Sequence, residues 1–272
     1  MSVKIDSSGR RSVQSEVVVE GTPEQVWQAI ATGPGVSSWF VPCELDGREG
    51  GEIVASFGPG MESTSTITAW NPPKSFSAEG GEISPGAPVM ATEWTVEARG
   101  GGTCLIRVVH SWFAESDEWD SQFEGTELGW PAFFRDLKLY LAHFVGQPSA
   151  TCQLMGFSAK APADAFQSLQ DKLGLRGKKI GDPVEPIGDH GPQLSGEIKN
   201  EVDGEHPEMI LLCQSPLPGI AHFFAMPMGD MSCLSIRLFF YGDRARETAE
   251  QQGLLWNQWV EENFPMPLPP AH

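Results

Sequence analysis

The sequence predicts an α+β protein of two modules, each an antiparallel sheet followed by a long C-terminal helix. Two segments, T-P-E-Q-V-W-Q-A-I at 22–30 and A-P-A-D-A-F-Q-S-L at 161–169, share the spacing small-Pro-x-x-aliphatic-aromatic-Gln-x-aliphatic, and each follows a strand-like run. In both halves, short strand-like runs come next and a helical, Trp-bearing segment closes the half. A length of 272 residues suits two domains, which we assign to 1–147 and 148–272.

The composition limits the binding partners and the cellular compartment that we expect. The net charge is −18 and the pI about 4.6, so phosphate backbones and anionic membranes are repelled, and we expect no nucleic-acid and no membrane partner. The five cysteines are odd in number and form neither C-x-x-C nor a Cys/His cluster at zinc spacing. We therefore expect free thiols in the cytoplasm, with no metal and no cofactor. Residues 1–12 are polar and carry no apolar signal core.

The first half begins with a strand and a capped helix. Alternating valines predict a strand over 13–19, after a loose arm at 1–12. Thr22 offers an N-cap with proline next to it, and the Gly-Pro-Gly at 33–35 ends this helix. A short second helix is predicted at 36–40.

A meander and a long helix complete the first half. Turn residues such as the Asn-Pro-Pro at 71–73 separate the strands, so antiparallel pairing is predicted. The predicted strands are 41–46, 51–58, 62–70, 74–79, 89–98 and 103–113. A helix is predicted from about 127 to 145, because Pro131 fits only its first turn. The apolar stripe expected to face the sheet is Gly129, Phe133, Leu137, Leu141 and Phe144.

The second half repeats this order in weaker form. A helix is predicted at 162–173, and 174–192 is a loop region with weak strands. The predicted strands are 152–158, 193–202, 208–214, 219–227 and 232–241. The last helix spans about 243–263, with an apolar side at Leu255, Trp256, Trp259 and Val260.

Strand, helix pair, six-stranded antiparallel sheet and long helix is the helix-grip arrangement, and residues 13–145 resemble the START-like (SRPBCC) superfamily. The closest likeness is to the family of the heat-shock protein 90 ATPase activator C-terminal domain. The matching segments are 22–27, Trp39-Phe40 with Pro42, Gly50-Gly51-Glu52, Trp70-Asn71-Pro72-Pro73 and Gly129-Trp130. The resemblance implies a curved sheet around the long helix, with a cavity between them. Many members hold an apolar small molecule there, some act on polyketides, and the activator engages a chaperone.

His110 is the one candidate for chemistry. If Ile106, Val108, His110 and Trp112 face the helix, His110 points inward and can act as a general base or as a donor to a ligand. If Leu105 and Val109 point inward instead, His110 lies on the other face of the sheet and is no longer a candidate. Glu93, Glu97 and Arg107 are expected on the outer face of the sheet. Nucleophile elbows and phosphate-binding glycine loops do not occur in the sequence.

Aromatic residues suggest the walls of the cavity. Such walls with few polar groups suit a small-molecule site, and 113–123 can cover its mouth. The candidate ligand-binding residues are Phe57, Trp70, Trp94, His110, Trp112, Phe123, Gly129, Phe133 and Leu137.

Three functions stay open. The leading hypothesis is binding of an apolar small molecule in the first module without catalysis. The second is a protein-interaction module that engages a chaperone or another protein. The third is an enzyme acting on polyketide-like or aromatic compounds with His110 as base. The second module is expected to pack on the first, as a monomer with pseudo-dimeric halves; the other arrangement is a homodimer.

Overall fold

The computed structural model of the chain describes residues 3–7, 9–58, 60–80, 88–113, 120–186 and 192–266. The chain divides into two units, Met1–Val145 and Gly146–His272. The sequence-based boundary was placed two residues later, between 147 and 148.

The first unit is one antiparallel sheet with three helices. Its eight strands lie in the order β1-β2-β8-β7-β6-β5-β4-β3. Strands β3 to β8 form a meander, and β2 pairs with β8, the last strand of that meander. The elements are β1 (Lys4–Ile5), β2 (Arg10–Glu20), α1 (Pro23–Ile30), α2 (Gly33–Ser37), β3 (Cys43–Leu45), β4 (Glu52–Ser56), β5 (Glu62–Asn71), β6 (Ser75–Gly80), β7 (Met90–Arg99), β8 (Thr103–Phe113) and α3 (Asp120–His143).

Local chemistry explains the start of α1. The Thr22 hydroxyl accepts from the backbone N–H of Gln25, and the Gln25 side chain accepts from the backbone N–H of Thr22. This reciprocal pair is a capping box, and it satisfies two helix-end donors. Pro23 occupies the first helical position, where no backbone donor is needed. The helix buries Trp27 on its inner side.

Two short elements differ from expectation. Lys4–Ile5 form a strand that pairs with Ser12 and Arg11, where a loose arm was predicted. The second helix begins at Gly33 rather than 36, because the Thr32 hydroxyl caps it by accepting from the Gly35 N–H.

The position of the site depends on which set of alternate residues in β8 points toward the helix. Ile106, Val108, His110 and Trp112 are all buried, and His110 contacts α3. This face of β8 therefore points toward the helix, which is the alternative that turns His110 inward.

The α3 helix begins earlier than predicted and presents a different stripe. It starts at Asp120, so Pro131 lies inside it, on an exposed side where water can replace the missing backbone bond. Gly129 and Phe133 are only half-buried, since steps of four residues overrun the 3.6-residue turn. The buried hydrophobic positions are Trp130, Phe134, Leu137, Tyr140, Leu141 and Phe144, and Asp136 is buried as well.

The second unit is a smaller version of the first. Its six strands lie in the order β10-β11-β12-β13-β14-β9, all antiparallel. The elements are β9 (Ser149–Ser158), α4 (Pro162–Leu173), β10 (Pro183–Val184), β11 (Ser195–Val202), β12 (Glu208–Ser215), β13 (Gly219–Met228), β14 (Met231–Tyr241) and α5 (Ala245–Asn263).

The two repeated segments form matching helices. Both α1 and α4 begin with a proline after a long strand, and Trp27 and Phe166 at equivalent positions are buried. The α4 helix lacks a side-chain cap, because Ala161 replaces the threonine. The core of the second unit includes Phe223 and Trp256. Leu255 of α5 was predicted to be buried, but it is 51% exposed. Both units are α+β helix-grip arrangements, so the predicted fold class is confirmed.

No helix within the described ranges combines the length and the apolar character needed to cross a membrane.

Candidate functional site

The site is built around His110 on the inner face of the first sheet. Its cross-strand neighbours are Val13 on β2 and Thr92 on β7. The residue is 4% exposed. Its ring lies nearly parallel to the indole of Trp130 from α3, with 5.8 Å between centroids and 17° between planes. A histidine is thus held between the sheet and the long helix.

Hydrogen bonds assign the tautomer of this histidine. The Trp130 indole N–H donates to His110 Nε2 at 2.7 Å. Indole nitrogen is a donor only, so Nε2 must carry the lone pair. The proton of the neutral ring is then on Nδ1, from which it is donated to the Thr92 hydroxyl at 2.9 Å. Burial lowers the pKa of His110 to about 4, so the ring is neutral at neutral pH.

This arrangement bears directly on catalysis. A general base needs a free lone pair within reach of a substrate proton. On His110 that lone pair is engaged by the Trp130 N–H. In this geometry the imidazole orients Trp130 and Thr92, and it can accept a proton only after the bond from Trp130 is broken.

Aromatic rings occupy the space beside His110. Trp94 on β7 meets Trp130 edge-on at 5.0 Å between centroids, and Phe134 stacks on the opposite part of the same ring system at 5.3 Å. Trp94 and Phe134 also contact each other at 6.3 Å. At this level Trp130 takes up the room that the sequence assigned to a ligand.

The ring cluster continues outward to the surface. Phe40, which follows α2, stacks on Trp130 at 5.4 Å and meets Phe133 at 4.8 Å. Phe57, at the end of β4, lies 5.7 Å from Phe40 and is 40% exposed. A Cβ added to Gly129 would lie 3.4 Å from the Phe133 ring, so this ring packs over the helix backbone at Gly129. We call Phe40, Phe57, Gly129 and Phe133 the aromatic rim.

The structure brings together part of the predicted ligand-binding set. Trp94, His110 and Leu137 lie in the interior, and Phe57, Gly129 and Phe133 lie at the aromatic rim. The Phe123 side chain lies outside the described residues.

Two predicted residues lie beside this group. Trp70 is half-buried, packs on Trp27 with 5.0 Å between centroids, and is linked to Trp94 through Phe76. Trp112 is 1% exposed and shares a small cluster with Val13, the residue across the sheet from His110.

The charged residues of the sheet lie on its outer face, as predicted. Glu93 and Glu97 are exposed. Arg107 donates to Glu16 across the β2–β8 pair at 2.6 Å. That hydrogen bond lowers the pKa of the Glu16 carboxyl. None of these groups contributes to the interior.

Sequence reasoning missed the residues that organise the site. Trp130 was used as a family landmark, and Phe40 and Thr92 were not assigned to the site. A signal for Trp130 was present, because positions 130, 134, 137, 141 and 144 follow the helical period more closely than the proposed stripe. No local pattern identifies Thr92, since only the pairing of β7 with β8 places it beside His110.

Comparisons with known proteins agree with this architecture. The family model described as polyketide cyclase / dehydrase and lipid transport matches residues 10–144. A search of curated proteins finds no match.

Among solved structures, the di-domain ARO/CYC protein BexL from the BE-7585A biosynthetic pathway is 13% identical, covering 95% of this chain and 100% of that one at a TM-score of 0.45. DynU16, a putative protein in the dynemicin biosynthetic locus, is 14% identical, covering 92% and 95% at 0.43. The Aha1 dimer from Colwellia psychrerythraea is 20% identical, covering 48% and 95% at 0.41. At identities and TM-scores this low, a likeness carries no information on function.

The matching model spans the first unit from β2 to the end of α3. It names the polyketide branch, whereas the sequence motifs lay closest to the chaperone-activator branch of the same superfamily. Through residues 10–144, this chain belongs to the polyketide cyclase/dehydrase and lipid transport family of the START-like (SRPBCC) superfamily.

Proposed function

We propose that the first unit binds an apolar, ring-bearing small molecule at the aromatic rim, without catalysing a reaction on it. The observation that carries this proposal is the continuous series of ring contacts from exposed Phe57, through Phe40, to buried Trp130. A partly exposed aromatic surface joined to a buried aromatic core suits a planar apolar ligand. Membership of a family described by polyketide and lipid chemistry supports the same class of ligand.

The rim offers contact area of the right kind. Phe40 and Phe133 are half-buried, so part of each ring is exposed beside the exposed ring of Phe57. Phe40 contacts both other rings, at 5.7 Å from Phe57 and 4.8 Å from Phe133. A flat apolar ligand that lies on this rim would cover the exposed parts of the three rings.

Two features of His110 support binding without catalysis. Its Nε2 lone pair accepts from Trp130, and burial keeps the ring neutral. A reaction that used His110 as base would first need Trp130 to rotate away. We therefore assign His110 the role of holding Trp130 at the base of the binding surface.

The test uses seven tryptophans in the first half of the chain as reporters. Hydroxyanthraquinone and palmitate are titrated into the full chain, and quenching of tryptophan fluorescence is followed. We expect saturable quenching by the planar compound. Replacing Phe57 and Phe133 by alanine should weaken binding about tenfold or more, because each lost aromatic contact contributes on the order of 1 kcal/mol.

Val18→Ala is the matched control. Val18 is 51% exposed on the first unit and lies on the outer face of β2, so its truncation should leave the affinity unchanged. Equal quenching curves for the wild type and the double alanine variant would contradict binding at the rim. Turnover of a ligand that disappears in His110→Ala would contradict the non-catalytic assignment.

A chaperone or other protein partner, implied by the likeness to the activator family, stays a prediction. A pull-down at low and high salt tests it, since contacts of an acidic surface weaken as salt rises.

A further inference from the structure

Four sulfur-bearing side chains share one face at the end of the β13–β14 hairpin. Met226 lies directly opposite Cys233, and Met228 lies directly opposite Met231. Residues directly across from one another, and residues two apart on one strand, point to the same side of a sheet. The four residues therefore form a two-by-two block on one face of this hairpin, which belongs to the second unit.

The turn holds this block in register. Gly229 and Asp230 are the only residues between Met228 and Met231, and Gly229 has φ +59°. No described residue other than glycine has a positive φ, so Asp230 does not. A positive φ at the first of two loop residues is the pattern of a type II′ turn, which suits a tight hairpin. The pairing of Met228 with Met231 is thus set by the backbone.

The three methionines are accessible to solvent. Met226 is 37% exposed and Met228 is 44% exposed, while Met231 is half-buried. Opposite residues in an antiparallel pair have Cβ atoms about 5 Å apart, and neighbours along a strand face are about 7 Å apart. Methionine has three rotatable side-chain bonds, so three sulfurs at these spacings can converge on one ion.

We propose that this hairpin binds a soft monovalent metal ion, Cu(I), through the thioethers of Met226, Met228 and Met231. Thioethers are soft, uncharged ligands that select Cu(I) over hard divalent ions. Asp230 at the turn and the net charge of −18 favour the approach of a cation. Nothing in the proposed role of the first unit depends on this site.

Cys233 sits beneath the methionines rather than among the exposed ligands. It is fully buried, so its sulfur is not accessible to an ion that arrives from solvent. Zinc is bound by thiolate, imidazole and carboxylate rather than by thioethers. The accessible donors of the block are therefore the three thioethers, and the expected selectivity is for Cu(I) and against Zn²⁺.

The experiment reads the methionines themselves, because the free cysteines also bind copper. The full chain is labelled with ¹³C at its methionine methyl groups, its accessible thiols are alkylated, and it is titrated with Cu(I) under anaerobic conditions. We expect the methyl resonances of Met226, Met228 and Met231 to shift together and to saturate at one equivalent. Zn²⁺ should leave these three resonances in place.

Leucine variants provide the matched comparison. Methionine-to-leucine replacement conserves volume and removes only the sulfur. In competition with a Cu(I) chelator, the triple variant M226L/M228L/M231L should hold the ion at least about tenfold more weakly. The variant M61L should bind as the wild type does, since Met61 is 40% exposed but belongs to the first unit.

Two results would overturn the proposal. One is a titration in which the three resonances stay unchanged at one equivalent of Cu(I). The other is a triple variant that retains Cu(I) as tightly as the wild type, which would assign the binding to cysteine. If the triple variant does not fold, M228L alone at the exposed tip gives the same comparison.

Discussion

Acidification should destabilise the first unit through His110. The folded-state pKa of His110 is lowered to about 4 by burial, against an ordinary value of 6.5. Between these two values the unfolded chain binds a proton that the folded chain does not. Stability from the neutral ring is therefore complete above pH 6.5 and is lost as the pH falls from 6.5 to 4.

The pKa difference sets the magnitude. Each unit of pKa corresponds to about 1.4 kcal/mol, so the full loss is about 3 kcal/mol, of which about 2 kcal/mol has been lost by pH 5. The residues directly across the sheet, Val13 and Thr92, do not titrate. His110→Gln is the informative perturbation, because an amide can accept from Trp130 and donate to Thr92 but does not bind a proton in this range.

Urea unfolding followed by tryptophan fluorescence gives the free energy of unfolding at about pH 8 and about pH 5. We expect the wild type to lose about 2 kcal/mol more than His110→Gln between these conditions. Imidazole ¹⁵N resonances should report a ring protonated at Nδ1 throughout. Equal losses in the two proteins, or a ring that titrates near its ordinary value, would refute the assignment of a buried, neutral His110.

Three further predictions follow from packing. Trp130→Phe removes the indole N–H from His110 and leaves a buried acceptor, so the free energy of unfolding should fall by about 2 kcal/mol in urea titrations; an unchanged value would contradict the bond. Gly156→Ala places a Cβ 2.7 Å from the Cβ of Phe264, and we expect a loss of about 1–3 kcal/mol in the second unit by thermal unfolding. Gly253 lies inside α5, and a Cβ added there would be 3.5 Å from the sulfur of Cys152 on β9. Gly253→Ala should therefore stabilise that unit by up to about 1 kcal/mol, because alanine favours helix. If both glycine variants changed the stability of the second unit in the same direction, the packing argument would be wrong.

Strands and turns were predictable because their causes are local. The alternation of valines in β2 and the Gly or Asn-Pro punctuation between β3 and β8 are properties of neighbouring residues. The capped start of α1 follows from Thr22 and Pro23 in the same way. These features predicted the meander and the repeat, and they left two alternatives for the His110 side chain, inward or outward.

The start of α3 was not predictable from the same rules. Pro131 signals a helix start, yet the helix runs through it from Asp120. Burial of Trp130, Phe134 and Leu137 against the sheet is a tertiary contribution that outweighs the local effect of one proline. The helix presents Trp130 to His110, whereas the predicted stripe had turned Gly129 and Phe133 toward the sheet.

Periodicity and turn chemistry act over a few residues, so they were enough to predict the two-module α+β architecture, the succession of strands along the chain and His110 as a candidate. The role of His110 depends on contacts between distant parts of the chain. Its partners come from β7, 18 residues before it, and from α3, 20 residues after it. Strand register and helix rotation bring them together, and these depend on how the whole apolar interior packs.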